Sequence, residues 1–242
     1  MSRKIVIVPT YNEKENIELL IRKVMGVMPD LHILVVEDNS PDGTATIVSN
    51  LMPSFPDRLF MLQREGKQGL GTAYLAGFRW AIDRGYDYIF EMDADFSHDP
   101  GYLPDLLNAC EQEGFDMSIG SRYITGVNVI NWPMGRVLMS YYASAYVRLV
   151  TGMHIRDTTA GFKCYHVSVL KKIMERPVRV VGYAFQIEMK FRAWKYGFKI
   201  KEVPIIFRDR NLGQSKMSRG IFREAIFGVI GMRIRSMFLN WK

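Results

Sequence analysis

Cysteine is nearly absent from this chain, with two in 242 residues, Cys110 and Cys164. They lie far apart, match no metal or redox spacing, and read as reduced thiols in a cytoplasmic protein. Long hydrophobic runs are missing too. The longest uncharged apolar stretches, Val137–Val147 and Ala225–Met232, fall well short of the roughly 20 residues that cross a bilayer. The N-terminus enters a strand at once, without the pattern of a signal peptide. No Ser/His/Asp or Cys/His arrangement is evident, so covalent catalysis has no support. The glycines of Gly66–Gly71 do not form a phosphate loop. Gly71 is followed by Thr72 and Ala73 where Lys-Ser/Thr is needed, and Tyr74 stands where a dinucleotide fingerprint needs glycine. Gly69 and Gly71 are expected instead to permit a tight start to a helix.

Charge is abundant but lopsided. From Lys199 to Lys242 ten Lys/Arg face three Asp/Glu, which accounts for the whole excess of 32 basic over 25 acidic residues. A basic tail implies an anionic partner: a phosphate-bearing substrate, an anionic lipid surface or, last in rank, nucleic acid, for which no motif is present.

The remainder reads as alternating strands and helices. Lys4–Val8, His32–Val36, Leu59–Gln63, Tyr88–Met92 and Met117–Ser121 are predicted strands. Helices are expected over Glu15–Met28, from Thr44 as N-cap, from Gly69 through Arg84, and over Tyr102–Glu113. Each strand is a solid apolar run, which argues for a parallel sheet covered on both faces. After Tyr123 come an apolar stretch (Asn131–Gly152) and a polar turn (Asp157–Phe162). Helical segments follow near Val169–Met174 and over Phe185–Tyr196. The chain then reads as a strand over Ile200–Phe207, a basic loop through Lys216 and a closing helix over Ile221–Leu239. The whole, residues 1–242, reads as one α/β domain.

Three strands end in acids, at Glu13, at Asp38 and at Asp93 and Asp95. In a parallel sheet those ends share one edge, where such sheets bind ligands, so the acids should converge on one cleft. Asp93 and Asp95 face the same side if extended geometry persists. Two such carboxylates suit Mg²⁺ or Mn²⁺ that also holds phosphates. Ser97 and His98 follow directly and are either further contacts or a surface turn. Arg122, Arg136, Arg210 and Lys216 together would make a phosphate cradle. The closing helix has an apolar face with flanking arginines and is expected to pack on the body or lie at a lipid surface.

Val8-Pro9-Thr10-Tyr11-Asn12-Glu13, Glu37-Asp38-Asn39-Ser40-Pro41-Asp42-Gly43-Thr44, Met92-Asp93-Ala94-Asp95, Gly120-Ser121-Arg122-Tyr123 and Asp209-Arg210…Ser215-Lys216 occur in that order. Together they resemble the family 2 glycosyltransferases of Rossmann-like GT-A fold, most closely the dolichol- or polyprenol-phosphate mannose synthases. The resemblance implies inverting, metal-dependent transfer of mannose from GDP-mannose to a dolichyl or polyprenyl phosphate. The alternative is another donor, such as UDP-glucose, on the same acceptor; more distant is a non-catalytic lipid- or nucleic-acid-binding protein. It further implies a nucleotide-sugar-binding half, residues 1–123, and an acceptor half, residues 124–242, whose C-terminal helices face the membrane. Pro9, Tyr11, Glu13, Val36 and Asp38 match positions that hold the donor nucleoside. Asp93, Ala94 and Asp95 match the sugar-nucleotide motif, with Asp95 on the metal. Arg210 and Lys216 match a loop over the diphosphate. Arg122, Arg136 and Ser140 match positions that receive the acceptor phosphate. Ser97 stands where some relatives carry a glutamine metal ligand. Many relatives append transmembrane helices; this chain resembles the type that reaches lipid peripherally, on the cytoplasmic face, by its own surface or a small membrane subunit.

Overall fold

The computed structural model describes residues 2–179, 182, 184–209 and 220–241. Strand β1 (Lys4–Thr10) owes its place to Ile5, Val6, Ile7 and Val8, none more than 1% exposed. Successive residues point to opposite faces. Ile5 and Ile7 enter one core with Leu34 and Val36 of β2 (Leu31–Glu37), whereas Val6 and Val8 enter the other with Ile33 and Val35. Helices α1 (Ile17–Val27), α2 (Thr44–Leu51) and α4 (Leu103–Glu111) cover the second core. The first is covered by α3 (Leu70–Asp83), α6 (Val167–Met174) and α7 (Phe185–Lys195). A Cβ on Gly77 of α3 would stand 2.5 Å from Ile7 Cγ2, so this glycine sets how closely helix and sheet approach.

The remaining strands of the main sheet are β3 (Leu59–Gln63), β4 (Tyr88–Glu91), β5 (Met117–Ser121), β7 (Lys163–His166) and β8 (Ile200–Pro204). The order is β3-β2-β1-β4-β7-β5-β8. Neighbours are parallel except at β7, which runs antiparallel to both β4 and β5 and sets Cys164 between Phe90 and Ser118. This mostly parallel sheet between helical layers is the expected α/β architecture, and the C-terminal ends of β1, β2, β4 and β5 open on one edge.

The sequence reading differs in four places. It missed β7, because Lys163 and His166 make that segment polar at both ends. It ran Ile200–Phe207 as one strand, whereas the chain leaves the main sheet after Pro204. Phe207 and Arg208 form β9, paired with β6 (Val129–Ile130) in a separate two-stranded sheet. Thr44 is not the N-cap of α2: Gly43 takes that position in the left-handed region (φ 92°), and Thr44 is the first helical residue. Extended geometry does not carry through the paired acids either, since β4 ends at Glu91 and Phe96 turns the chain with φ 60°. Gly69 does open α3, with φ 99°.

The apolar stretch after Tyr123 becomes α5 (Met134–Thr151), closed by Gly152 with φ 79°. It packs against α8 (Gly220–Met237), where the Tyr146 hydroxyl donates to the Ile226 carbonyl at 3.0 Å. Among the described residues no helix is long and apolar enough to cross a membrane.

Candidate active site

The loops leaving β1 and β2 are sewn together by side chains. Ser40 Oγ accepts from the Asn12 amide at 3.1 Å, Asp42 Oδ2 from the Lys14 amide at 3.1 Å, and Thr44 Oγ1 from the Glu13 amide at 3.0 Å. Glu37, fully buried, accepts the amides of Asn39 and Ser40 at 2.9 and 2.7 Å and so fixes the left-handed turn at Asn39. The polar residues in these two motifs therefore shape backbone before they touch any ligand. The result places Pro9, Tyr11, Glu13 and Asp38 on the wall of one cleft of about 790 Å³.

Asp93, Ala94, Asp95 and Ser97 line the same cleft beyond β4. The buried Tyr74 hydroxyl donates to Asp93 Oδ1 at 3.1 Å; burial and the Asp93 charge push that phenol well up, so it stays a donor. Asp95 Oδ1 accepts the Ser97 amide at 3.1 Å, which holds the strained turn at Phe96. His98 is 3% exposed, and burial lowers its pKa to about 4, so the ring is neutral near pH 7. Its Nδ1 accepts the Asp93 amide at 3.3 Å, and the ring stacks on Phe162 with centroids 5.0 Å apart. That nitrogen anchors the acidic turn.

The acids converge on one cleft but not on one point. Asp38 is held by Arg64 through two hydrogen bonds of 2.6 and 2.8 Å, and Glu13 accepts from Asn16 at 3.2 Å. Among the described residues no three His, Cys, Asp or Glu side chains cluster as a metal cage. Asp93 and Asp95 fit Mg²⁺ or Mn²⁺ only as a pair of hard oxygen donors, the rest of the shell coming from phosphate and water.

The rest of the lining is cationic and aromatic. Arg122 is 4% exposed; its fork donates to Asp157 at 2.7 and 2.6 Å and to Thr159 at 2.7 Å. Burial alone would raise the Asp157 carboxyl, but the Arg122 guanidinium and its hydrogen bonds outweigh that and hold it below 3.8. Arg122 thus borders the cleft with its charge offset, which departs from a grip kept ready for phosphate. Arg136 pairs with Asp209 at 2.9 and 3.0 Å and lies 4.1 Å over the Trp132 ring. Ser140, one turn further along α5, accepts from the Tyr123 hydroxyl at 2.8 Å.

Val36 does not join them: its side chain is 0% exposed, packed in the core beneath the sheet. Arg210 and Lys216 lie outside the described residues. Sequence reading missed Arg64 and also Lys67, whose ammonium lies 5.1 Å over the Tyr11 ring at the cleft wall. It missed Asp157, and the buried set beneath the acids, where Lys163 Nζ lies 3.0 Å from Glu91 Oε2 and also donates to Gln186. Buried charges need partners, but nothing along the chain says which residues pair.

The glycosyl transferase family 2 model matches residues 5–174. The chain is 48% identical over 233 residues to a polyprenol monophosphomannose synthase of Mycolicibacterium smegmatis, covering 96% of this chain and 88% of that protein. It is 43% identical to an undecaprenyl-phosphate mannosyltransferase of Micrococcus luteus, covering 94% and 92%. Among solved structures it resembles glucosyl-3-phosphoglycerate synthase from Mycobacterium tuberculosis with Mn²⁺, uridine diphosphate and phosphoglyceric acid. There the TM-score is 0.71 at 16% identity, covering 98% of this chain and 80% of that one. It also resembles a mannosyltransferase from Pyrobaculum calidifontis in complex with GDP-mannose and Mn²⁺ (TM-score 0.62, 17% identity, 99% and 65% covered). At those identities the two structures speak for the fold.

Proposed function

The chain belongs to glycosyl transferase family 2, and from that membership we propose that it transfers mannose from GDP-mannose to a dolichyl or polyprenyl monophosphate. The observation that carries this reading is a single cleft lined both by the carboxylates Asp93 and Asp95 and by Arg136 and Ser140. Residues 1–123 supply the donor side and residues 124–242 the acceptor side of one domain. Membership in an enzyme family sets the non-catalytic reading aside.

In this proposal Pro9, Tyr11, Glu13 and Asp38 seat the nucleoside, with Asp38 held in place by Arg64. Val36, opposite Pro9 in register, contributes through its backbone, since its side chain is buried. Asp93, Ala94 and Asp95 meet the sugar nucleotide, Ser97 supporting Asp95 through its amide. A divalent ion bound at Asp95 would neutralise charge that develops on the departing diphosphate. Arg210 and Lys216 are assigned the same task from the basic loop. Arg136 and Ser140 orient the acceptor phosphate, and Arg122 stiffens that wall through Asp157. An acceptor phosphate oxygen attacks the anomeric carbon from the face opposite the diphosphate, whose oxygen leaves with the bonding pair, inverting the centre. A phosphate monoester, with a second pKa of about 6, is largely dianionic at pH 7 and needs no base. That is consistent with a cleft whose one histidine is buried, neutral and already engaged.

The test is incubation of the purified protein with GDP-mannose or UDP-glucose and a short polyprenyl phosphate, with and without divalent metal. Lipid-linked mannose is expected from GDP-mannose only; product from UDP-glucose alone would reverse the donor assignment. In the same assay Arg136→Ala is expected to raise the KM for polyprenyl phosphate about tenfold, one charge-assisted contact's worth. The KM for GDP-mannose should hold within twofold; equal losses on both sides would misplace Arg136.

A peripheral position on the cytoplasmic face of a membrane completes the reading. Met134, Leu138, Tyr142 and Leu149 form an outward stripe at helical spacing on α5, and Phe227, Ile234, Met237 and Phe238 protrude on or just beyond α8. With Arg148, Arg233 and Arg235 close by, this suits a lipid interface, with or without a small membrane subunit. Leu149→Glu with Phe238→Glu should lower cosedimentation with anionic vesicles at least about tenfold, each apolar side chain being worth roughly 1.5–3 kcal/mol. Unchanged cosedimentation would move the contact elsewhere.

A further inference from the structure

Gln186 stands in the first turn of α7, 4% exposed, and borders the cleft. Its carboxamide is oriented from below. Lys163 Nζ donates to Oε1; the same ammonium lies 3.0 Å from Glu91 Oε2, and Glu91 Oε1 accepts from Tyr165 at 2.6 Å. Lysine can only donate, so the amide oxygen faces it and the NH₂ points away. That nitrogen is buried, and among the described residues it has no hydrogen-bond partner. A buried donor without an acceptor is uncommon in native proteins and calls for a reason.

The reason lies across from it at Gly161. A Cβ added there would stand 3.6 Å from Gln186 Nε2, 3.6 Å from Asp93 Oδ2 and 3.4 Å from His98 Cε1. The absent side chain keeps open a gap in the cleft wall bordered by both a fixed donor and a carboxylate acceptor. A hydroxyl, which both donates and accepts, is the group that satisfies such a pair. A phosphate oxygen would meet the Asp93 charge instead.

We infer that Gln186 and Gly161 form the subsite for the hydroxyls of the transferred sugar. Gln186 Nε2 donates to one ring hydroxyl, and Asp93 accepts from it or from its neighbour. This deepens the sugar-nucleotide reading above and rests on it: Gln186 is the specificity-determining contact of that reaction. A carboxamide moves no proton, so its contribution is to bind and align the hexose.

Calorimetric titration of the full chain with GDP, GDP-mannose and GDP-mannose analogues each lacking one ring hydroxyl, all with Mn²⁺, tests this. Gln186→Met keeps the length and removes the donor. It should leave GDP affinity within twofold while weakening GDP-mannose about tenfold, the worth of one well-made hydrogen bond. One deoxy analogue should bind the wild type about tenfold more weakly than GDP-mannose. Against Gln186→Met that analogue and GDP-mannose should be indistinguishable. Gly161→Ala meets only ordinary contacts of 3.4 to 3.6 Å, so it should fold and still weaken the sugar nucleotide alone. Equal weakening of GDP and GDP-mannose by Gln186→Met, or deoxy losses that persist in the variant, would overturn the subsite. A wild type that binds no guanine sugar nucleotide would instead overturn the donor assignment, and the same series on UDP-glucose would then decide the subsite.

Discussion

Asp95→Asn is expected to lower sugar transfer about a thousandfold, the several kcal/mol that charge stabilisation at a leaving group supplies. Asn at this position keeps an oxygen for the Ser97 amide, now received by Asp95 Oδ1 at 3.1 Å, so the turn through Phe96 should survive. Asp95→Ala removes charge and acceptor together. It should match the loss of activity and add a loosened acidic turn, visible as faster amide exchange over residues 93–98. Asp95→Asn should unfold close to the wild-type midpoint, because Asp95 lines the cleft and belongs to neither apolar core. Turnover by Asp95→Asn within tenfold of wild type would remove the charge of this carboxylate from the chemistry.

The largest effect on stability is expected from Asp157→Asn. Asp157 is fully buried and receives both the backbone amide and the side-chain fork of Arg122, while its own amide donates to Glu202 at 2.9 Å. Substitution leaves a guanidinium that is itself 4% exposed without its counter-charge. Breaking such a pair costs about 3–5 kcal/mol. The sign of the pH dependence follows from the lowered carboxyl pKa. The pair's contribution is complete above the unfolded value near 3.8 and is lost as pH falls through the lower folded value. Urea unfolding at pH 7, 5 and 3 should therefore show a large gap between wild type and Asp157→Asn at the first two values and a smaller gap at the third. A gap under about 1 kcal/mol at pH 7, the size of an ordinary substitution, would show that the pair is not holding the wall.

Much of this was legible from local pattern. Ile5 to Val8 announce a strand covered on both sides, and the acids at Glu13, Asp38 and Asp93 sit where such strands end, so one edge gathering them follows from parallel pairing alone. What pattern does not encode is which distant group answers a buried charge. Arg122 looked like a free cation until Asp157, 35 residues on, closed around it. Asp38 looked like a free acid until Arg64 did the same, 26 residues on. Glu91 and Lys163 resemble surface charges in the sequence because each interrupts or ends an apolar run. Only the register that sets Lys163 opposite Glu91 reveals them as a buried couple. Val36 shows a different limit: its side chain belongs to the core, so only its backbone is left to reach a ligand.

The antiparallel strand β7 bears on how this chain is made. It stands between β4 and β5, both of which precede it by dozens of residues. Until residues 163–166 are synthesised, the edges of β4 and β5 that pair with β7 have no native partner. A nascent chain in that interval presents ready templates for pairing with its neighbours. Closure of the sheet edge that leads to Asp93 and Asp95 therefore depends on a segment some seventy residues further along the chain.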